Sequence, residues 1–236
     1  GPTVSQVCAS GVRTVLMAAQ EISSGLAQTV LAATADRCSN GPHTYYPAQT
    51  VTGGTGVSED VVLDSFNCDP LGRHSMLQTA ENVAAKHSIS TAEQHEVVLR
   101  RYAQYQEALS EDKAFQKRYM DLPFAVPDPR FRKKAEEIDG DQGVVKSTAD
   151  GLAQLKSVVE GGTVTFGGQT YPADGNAAIV VSDLGKAQEL SADATVQIRI
   201  LSAGQSRVKL AYMPEAPINA ARLALRHANL SFEDMD

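Results

Sequence analysis

The order of strand-like and helix-like segments narrows the fold of this 236-residue chain more than any other property of its sequence. Three short runs predict strands, at 163–166 (TVTF), 177–181 (AAIVV) and 195–201 (TVQIRIL). Helical patterns are expected at 184–190, between the second and third runs, and at 218–229 after them. Strands that alternate with helices are typical of layered α/β folds, and we expect that fold class here.

The first two thirds of the chain predict further elements of both kinds. Ser90 and Thr91 stand three residues before Glu93 and Gln94, as two overlapping capping boxes at the start of a helix. Segments rich in glycine and proline predict irregular structure. In chain order we expect a helix at 9–26, a strand at 28–34, mostly loop at 39–73, helices at 78–87 and after Ser90, an irregular excursion at 121–145 and a short helix at 148–156.

Composition excludes several classes of protein. Hydrophobic residues make up 42% of the chain and charged residues 21%, as in ordinary globular proteins. No apolar run reaches the roughly 18 residues of a membrane span, and no secretory signal is visible. The net charge of −7 disfavours a general nucleic-acid or anionic-membrane role. A basic cluster at 130–134 is compatible with a phosphate contact or with a solvated loop.

The cysteine pattern points to free thiols in a reducing compartment. The three cysteines, Cys8, Cys38 and Cys68, are an odd number and form no C-x-x-C pair, so neither a disulfide framework nor a structural zinc site is expected. The five histidines show no metal-ligand spacing, and we predict no metal site.

Cys8 is the strongest candidate for chemistry. It lies in V-C-A-S-G, directly before the predicted helix at 9–26, where the helix dipole and free backbone N–H groups stabilise a thiolate. Small residues follow it and let other groups approach the backbone. Cysteine is also common as a small buried apolar residue, so the spacing alone leaves both interpretations open.

A series of motifs in the same order resembles the thiolases, the acetyl-CoA acyltransferases. The segment 5–11 (SQVCASG) resembles the family's nucleophile motif, and other segments follow across nearly the whole chain. These are 31–40 (LAATADRCSN), 69–82 (DPLGRHSMLQTAEN), 89–94 (ISTAEQ), 146–156 (KSTADGLAQLK), 162–165 (GTVT), 174–175 (DG) and 217–236.

The resemblance implies a layered α/β fold, incomplete in this chain, with an inserted and mostly helical loop domain. Residues 1–46 would belong to the N-terminal half of a thiolase, and 47–169 would form the insert that covers coenzyme A. Residues 170–193 would return to the N-terminal half, and 194–236 would begin the C-terminal half.

The resemblance also implies an activity and a set of site residues. Cys8 would take an acyl group from a 3-ketoacyl-CoA and pass it to CoA, or support the reverse condensation of two acyl-CoAs. Ser75, Met76, Lys146, Phe166 and Thr170 would contact the substrate. Coenzyme A and acyl-CoA would be substrates, with no permanently bound cofactor.

The sequence also departs from the family pattern. The G-H-P, C-x-G and N-E-A-F motifs do not occur in it, and the family's first strands are absent, so we expect these 236 residues to be inactive alone. Departures at Asp36, Arg37, Cys38, Phe166 and Gly168 support an alternative, a non-catalytic thiolase-like protein that binds acyl-CoA or a partner subunit.

Three further expectations come from the family alone. They are a homo-dimer or homo-tetramer, a role in lipid metabolism such as fatty acid β-oxidation, and a cytoplasmic location, or a mitochondrial or peroxisomal one in a eukaryote.

Overall fold

The computed structural model describes residues 1–38, 41–170, 173–193 and 195–235. The chain divides into two compact units. The first unit combines Gly1–Val62 with Asp174–Asp236, and the second unit is the intervening stretch Leu63–Ala173. Both units contain helices and strands, as expected for an α/β protein.

Eight helices and six strands are present in the part of the chain that the structure describes. Helices α1 to α8 span Ser10–Ser23, Leu63–Asn67, Met76–His87, Thr91–Ala108, Ser110–Lys117, Ala149–Ala153, Leu184–Leu190 and Ala216–Ala228. Strands β1 to β6 span Thr29–Asp36, His43–Tyr46, Val57–Asp60, Phe124–Pro127, Lys134–Ile138 and Gly175–Ser182. The strands pair antiparallel, as β1 with β6, β2 with β3 and β4 with β5.

The first unit is organised by the pairing of β1 with β6. The ladder extends from Thr29 opposite Ser182 to Asp36 opposite Gly175, and α1 packs against both strands. Ala18 of α1 and Ala32 of β1 are buried. Small side chains at these positions let a helix lie close to the strands.

The second unit is built around α3, α4 and α6. The expected capping box at the start of α4 is confirmed, because the Ser90 hydroxyl accepts a hydrogen bond from the Glu93 N–H and the Glu93 carboxylate accepts one from the Ser90 N–H at 2.8 Å. Ala84, Leu152 and Val164 are buried in this unit. The other candidate box, at Thr91 and Gln94, does not form, because the Gln94 N–H donates to the Ser90 carbonyl and the Gln94 side chain donates to the Thr163 hydroxyl. The Thr91 hydroxyl donates to the carbonyl of Thr163.

The elements with clear local patterns are confirmed. The helices predicted at 9–26, 78–87, after Ser90, 148–156, 184–190 and 218–229 are α1, α3, α4, α6, α7 and α8. The strands predicted at 28–34 and 177–181 are β1 and β6.

The strand predicted at 163–166 is wrong. The N–H groups of Thr163 and Val164 donate to the Glu81 carboxylate, so they are not available to a neighbouring strand. The chain then forms a 3₁₀ turn over Phe166–Gly168. A β-branched run favours a strand only where its backbone has a ladder partner.

The strand predicted at 195–201 is also absent. This segment joins no ladder with any described strand, although four of its seven residues are β-branched. All seven residues are exposed, and Ile198 is 95% accessible. These residues favour β-strand structure, but no strand in the described part of the chain pairs with them.

Two stretches predicted to be irregular contain hairpins. Within 39–73, β2 pairs with β3, the Tyr46 hydroxyl donates to Glu59 at 2.7 Å, and α2 follows. Within 121–145, β4 pairs with β5, and the turn between them is held by the Asp128 carboxylate, which accepts the Arg132 N–H at 2.7 Å. Side-chain hydrogen bonds order both stretches despite their glycine and proline content.

The domain boundaries expected from the family overlap with the two units without coinciding with them. The predicted insert, 47–169, and the second unit share residues 63–169. Residue 194, where the last predicted segment begins, lies outside the described residues. The assignment of an insert that covers coenzyme A remains a prediction. No helix in the described ranges is long and apolar enough to cross a membrane.

The capping box gives a stability prediction. Replacing Ser90 with alanine removes the acceptor for the Glu93 N–H, and loss of an N-cap costs about 1 kcal/mol. Urea unfolding of Ser90→Ala should show that decrease in the free energy of unfolding. Ser110→Ala, at the exposed first position of α5, is the matched control and should change stability by less than about 0.5 kcal/mol. Equal values for the two variants would contradict the role of the cap.

Candidate functional site

A tight turn places Cys8 directly before α1. Val7 has a positive φ of 49°, and the N–H of Ala9 donates to the carbonyl of Gln6 at 3.0 Å. The Ser10 hydroxyl accepts the Gln6 N–H at 2.8 Å and donates to the Val7 carbonyl at 2.7 Å. The turn is therefore closed on both sides of Cys8, whose side chain is exposed. Within the described residues Cys8 is therefore not part of a packed core.

The start of α1 has no side-chain cap. Ala9 is the N-cap residue and its side chain makes no capping hydrogen bond, and the first turn contains no acidic residue. The partial positive charge at this helix end is thus not neutralised by a carboxylate from the first turn. An exposed thiol beside such a helix end has the environment in which reactive cysteines occur.

The five predicted substrate contacts all lie in the second unit, whereas Cys8 lies in the first. Ser75 is the N-cap residue of α3, and its hydroxyl accepts a hydrogen bond from the Gln78 N–H at 3.0 Å. Met76 is the first residue of that helix. The hydroxyl of Ser75 therefore has a structural hydrogen bond in addition to any role toward a ligand.

The other three predicted contacts are exposed. Lys146 precedes α6, Phe166 opens the 3₁₀ turn with 70% of its surface accessible, and Thr170 follows that turn. Phe166 and Thr170 lie on one short segment, and Lys146 lies on another. Of the family motif at 31–40, Ser39 and Asn40 lie outside the described residues.

The basic cluster forms part of the turn between β4 and β5. Arg130, Arg132, Lys133 and Lys134 are all exposed there, and Lys134 pairs with Glu137 at 2.6 Å. Across the described ranges, no group of three or more histidine, cysteine, aspartate or glutamate side chains is arranged to hold a metal ion.

A buried carboxylate that sequence reasoning missed organises the second unit. Glu81 on α3 accepts the Thr163 N–H at 2.8 and 2.9 Å, the Val164 N–H at 2.8 Å and the Thr163 hydroxyl at 3.0 Å. A Cβ added to Gly162 would collide with this carboxylate and would have to displace it from its hydrogen bonds. The available signal was the position of Glu81 within the apolar stripe of α3, between Leu77 and Ala84.

Helix α4 also forms hydrogen bonds to residues 163–165. Gln94 donates to the Thr163 hydroxyl at 2.9 Å, and the ring nitrogen Nε2 of His95 lies 2.8 Å from the Thr165 hydroxyl. Together with the bond from Thr91, these contacts tie α4 to the segment that leads into Phe166.

Hydrogen bonding determines the ionisation of Glu81. Burial by itself raises the pKa of a carboxyl, but the N–H groups of Val164 and Thr163 and the Thr163 hydroxyl outweigh it, so the pKa of Glu81 lies below its ordinary value. Glu81 is consequently charged at neutral pH.

This shift gives a pH-dependent stability prediction. A lowered folded-state pKa adds stability that is complete above the unfolded value of roughly 4.3 and is lost as the pH falls through the folded pKa. Glu81→Gln should therefore lower the free energy of unfolding by about 2 kcal/mol at pH 7. In urea titrations its difference from wild type should shrink below about pH 4. Glu96→Gln, on the exposed face of α4, should have little effect, and a pH-independent difference for Glu81→Gln would contradict the assignment.

Comparison with known proteins identifies the family. Residues 2–184 match the family model described as thiolase, N-terminal domain. Acetyl-CoA acetyltransferase of Escherichia coli K12 is 33% identical over 241 residues, which cover 100% of this chain and 59% of that protein. The chain thus spans about three fifths of the length of this curated relative.

Solved structures give the same result. The crystal structure of Bacillus anthracis acetyl-CoA acetyltransferase matches with a TM-score of 0.82 and 27% identity, over 100% of this chain and 58% of the other. Human mitochondrial 3-ketoacyl-CoA thiolase in complex with CoA matches with a TM-score of 0.80 and 26% identity, over 99% of this chain and 57% of the other. These matches agree with the order of motifs along the sequence and with the layered α/β fold, and the chain belongs to the thiolase family.

Proposed function

We propose that the full-length protein is an acyl-CoA C-acyltransferase, a thiolase, with Cys8 as its nucleophile. The observation that carries the proposal is the exposed thiol in a closed turn before the uncapped start of α1. Its segment, V-C-A-S-G, resembles the family's nucleophile motif, and the relatives that match the chain are named as acetyltransferases and thiolases.

The proposed reaction proceeds in two thioester steps. The Cys8 thiolate attacks the 3-keto carbon of a 3-ketoacyl-CoA, the bond between C2 and C3 breaks, and the departing enolate of acetyl-CoA takes up a proton. The thiol of free CoA loses its proton and attacks the acyl-enzyme, which releases a shortened acyl-CoA and restores the Cys8 thiolate. The Cys8 backbone N–H is a proposed donor to the oxyanion of the first step. The reverse sequence condenses two acyl-CoAs.

The second unit is the proposed carrier of the CoA contacts. Lys146 is exposed, and its ammonium group can pair with a phosphate of the nucleotide part of CoA. Phe166 and Thr170 lie on one segment and provide an aromatic ring and a hydroxyl for contacts with CoA. Ser75 and Met76 at the start of α3 complete the proposed set.

The proposal concerns the full-length protein. The G-H-P, C-x-G and N-E-A-F motifs do not occur among these 236 residues, and we expect no turnover from these residues alone. Further proposals rest on the family alone. They are a homo-dimer or homo-tetramer, a role in lipid metabolism such as fatty acid β-oxidation, and a cytoplasmic, mitochondrial or peroxisomal location.

A second candidate function is acyl-CoA binding without chemistry. It is supported by the Phe166 ring, a bulky group where the family has a small residue, and by the D-R-C sequence at 36–38. Calorimetry with CoA, combined with a thiolysis assay of the full-length protein, separates the two. Binding without turnover supports the second candidate.

The nucleophile assignment gives a direct prediction. Cys8→Ala should abolish thiolysis of acetoacetyl-CoA or of a longer ketoacyl-CoA by the full-length protein, because no other group forms the acyl-enzyme. Cys68→Ala is the matched control, since Cys68 is also an exposed free thiol, and it should retain wild-type turnover. Full activity in Cys8→Ala, or equal losses in both variants, would refute the assignment.

A further inference from the structure

The segment Gly162–Gly168 has a buried or half-buried, hydrogen-bonded part, residues 162–165, which we call the base, and it is followed by the exposed residue Phe166. Val164 and Thr165 are 8% and 2% accessible, whereas the next residue, Phe166, is 70% accessible. The change occurs within two residues of the chain. The Phe166 ring therefore stands in solvent on a base that is packed and hydrogen-bonded.

Three helices hold this base. Helix α3 supplies the Glu81 carboxylate, and α4 supplies Gln94 and His95. A terminal methyl of Leu152 of α6 lies against Gly167, so a Cβ at that position would have to displace the leucine side chain. The 3₁₀ turn also closes on itself, because the Gly168 N–H donates to the Thr165 carbonyl at 3.2 Å.

Glu81 differs from the other holding groups in that it binds backbone N–H groups. Its carboxylate accepts from two successive residues, Thr163 and Val164, and so fixes the local direction of the main chain. A glutamine at this position would retain one oxygen, but it would point an NH₂ group at donors. Ionised Glu81 therefore satisfies this set of donors, and its neutral amide analogue does not.

We propose that Glu81 is a positioning residue for the acyl-CoA site. Through Thr163 and Val164 it sets the orientation of the segment that presents Phe166 and Thr170 to the CoA moiety. This inference rests on the proposed function, because Phe166 and Thr170 are substrate contacts only within it. Glu81 touches neither substrate nor Cys8 in this role, and its effect is on CoA binding rather than on the acyl-transfer step.

A purely structural role makes a different prediction. A glutamate that only stabilises α3 would, when replaced, lower the amount of folded enzyme and so reduce the apparent kcat at constant KM. A positioning residue changes KM for CoA while kcat of the folded enzyme persists. The two roles are therefore separable by kinetics.

Glu93 offers a matched control. Like Glu81, it lies in the second unit, accepts a backbone N–H, and has its pKa held below the ordinary value, here by the N–H and hydroxyl of Ser90. It caps α4, and its carboxylate accepts hydrogen bonds from the N–H and hydroxyl of Ser90. Glu93→Gln makes the same chemical change at a carboxylate whose partner is Ser90 rather than the backbone of Thr163 and Val164.

The experiment compares wild type, Glu81→Gln and Glu93→Gln in the full-length enzyme by thiolysis kinetics with varied CoA. Glu81→Gln should raise KM for CoA about tenfold, with kcat within about twofold of wild type. Glu93→Gln should leave KM unchanged. The rate of Cys8 alkylation by iodoacetamide should be the same in all three proteins. Equal KM values in Glu81→Gln and wild type, or equal increases in both variants, overturn the proposal.

A second variant covers the case in which Glu81→Gln fails to fold. Thr163→Val removes the hydroxyl that donates to Glu81 and accepts from Gln94, and it keeps the backbone N–H bonds to Glu81, so KM for CoA should rise by a smaller factor of about three. An unchanged KM in this variant counts against positioning.

If the acyltransferase proposal is wrong, calorimetry and the thiolysis assay give a result that differs from failure of the positioning proposal. Wild-type protein that binds CoA by calorimetry without thiolysis refutes the acyltransferase proposal, and the dissociation constant of Glu81→Gln then tests positioning in place of KM. A dissociation constant about tenfold above wild type supports it, and an unchanged one overturns it.

Discussion

The antiparallel ladder between β1 and β6 is the interaction on which the arrangement of the chain depends. It joins residues far apart in sequence, and the Thr34 hydroxyl reaches the Ala177 carbonyl across 143 positions. The first unit therefore contains both ends of the described chain, and the second unit is an insertion between them. The position of Cys8 follows from the same pairing, because α1 packs on β1 and β6 and the turn that carries Cys8 immediately precedes α1.

Local patterns predicted the elements whose stability is mainly local. The apolar stripe of α1, the Ser90 capping box and the β-branched run of β6 each indicated the correct structure. The TVTF run at 163–166 did not, because a distant glutamate takes the backbone donors that a strand would use. The two missed hairpins are closed by contacts such as Tyr46 with Glu59, which no local propensity describes.

The part of the candidate site that a short motif encodes, the cysteine before α1, was predicted from the sequence. V-C-A-S-G indicated a cysteine before a helix, and the structure shows that thiol exposed beside an uncapped helix start. Glu81 was not predicted, because a charged residue on a helix is usually a solvated group. Only the fold, which brings Thr163 to α3, gives this carboxylate its partners. The catalytic and substrate-contact roles of the named residues come from the family and remain proposals.

The unpaired segment at 195–201 has a practical consequence for handling the protein. This segment joins no ladder among the described residues and Ile198 is almost fully accessible, so its backbone can pair with a strand of a neighbouring molecule. These 236 residues expressed by themselves should consequently self-associate in a concentration-dependent manner. Ile198→Lys places a charge on this segment and should reduce that association.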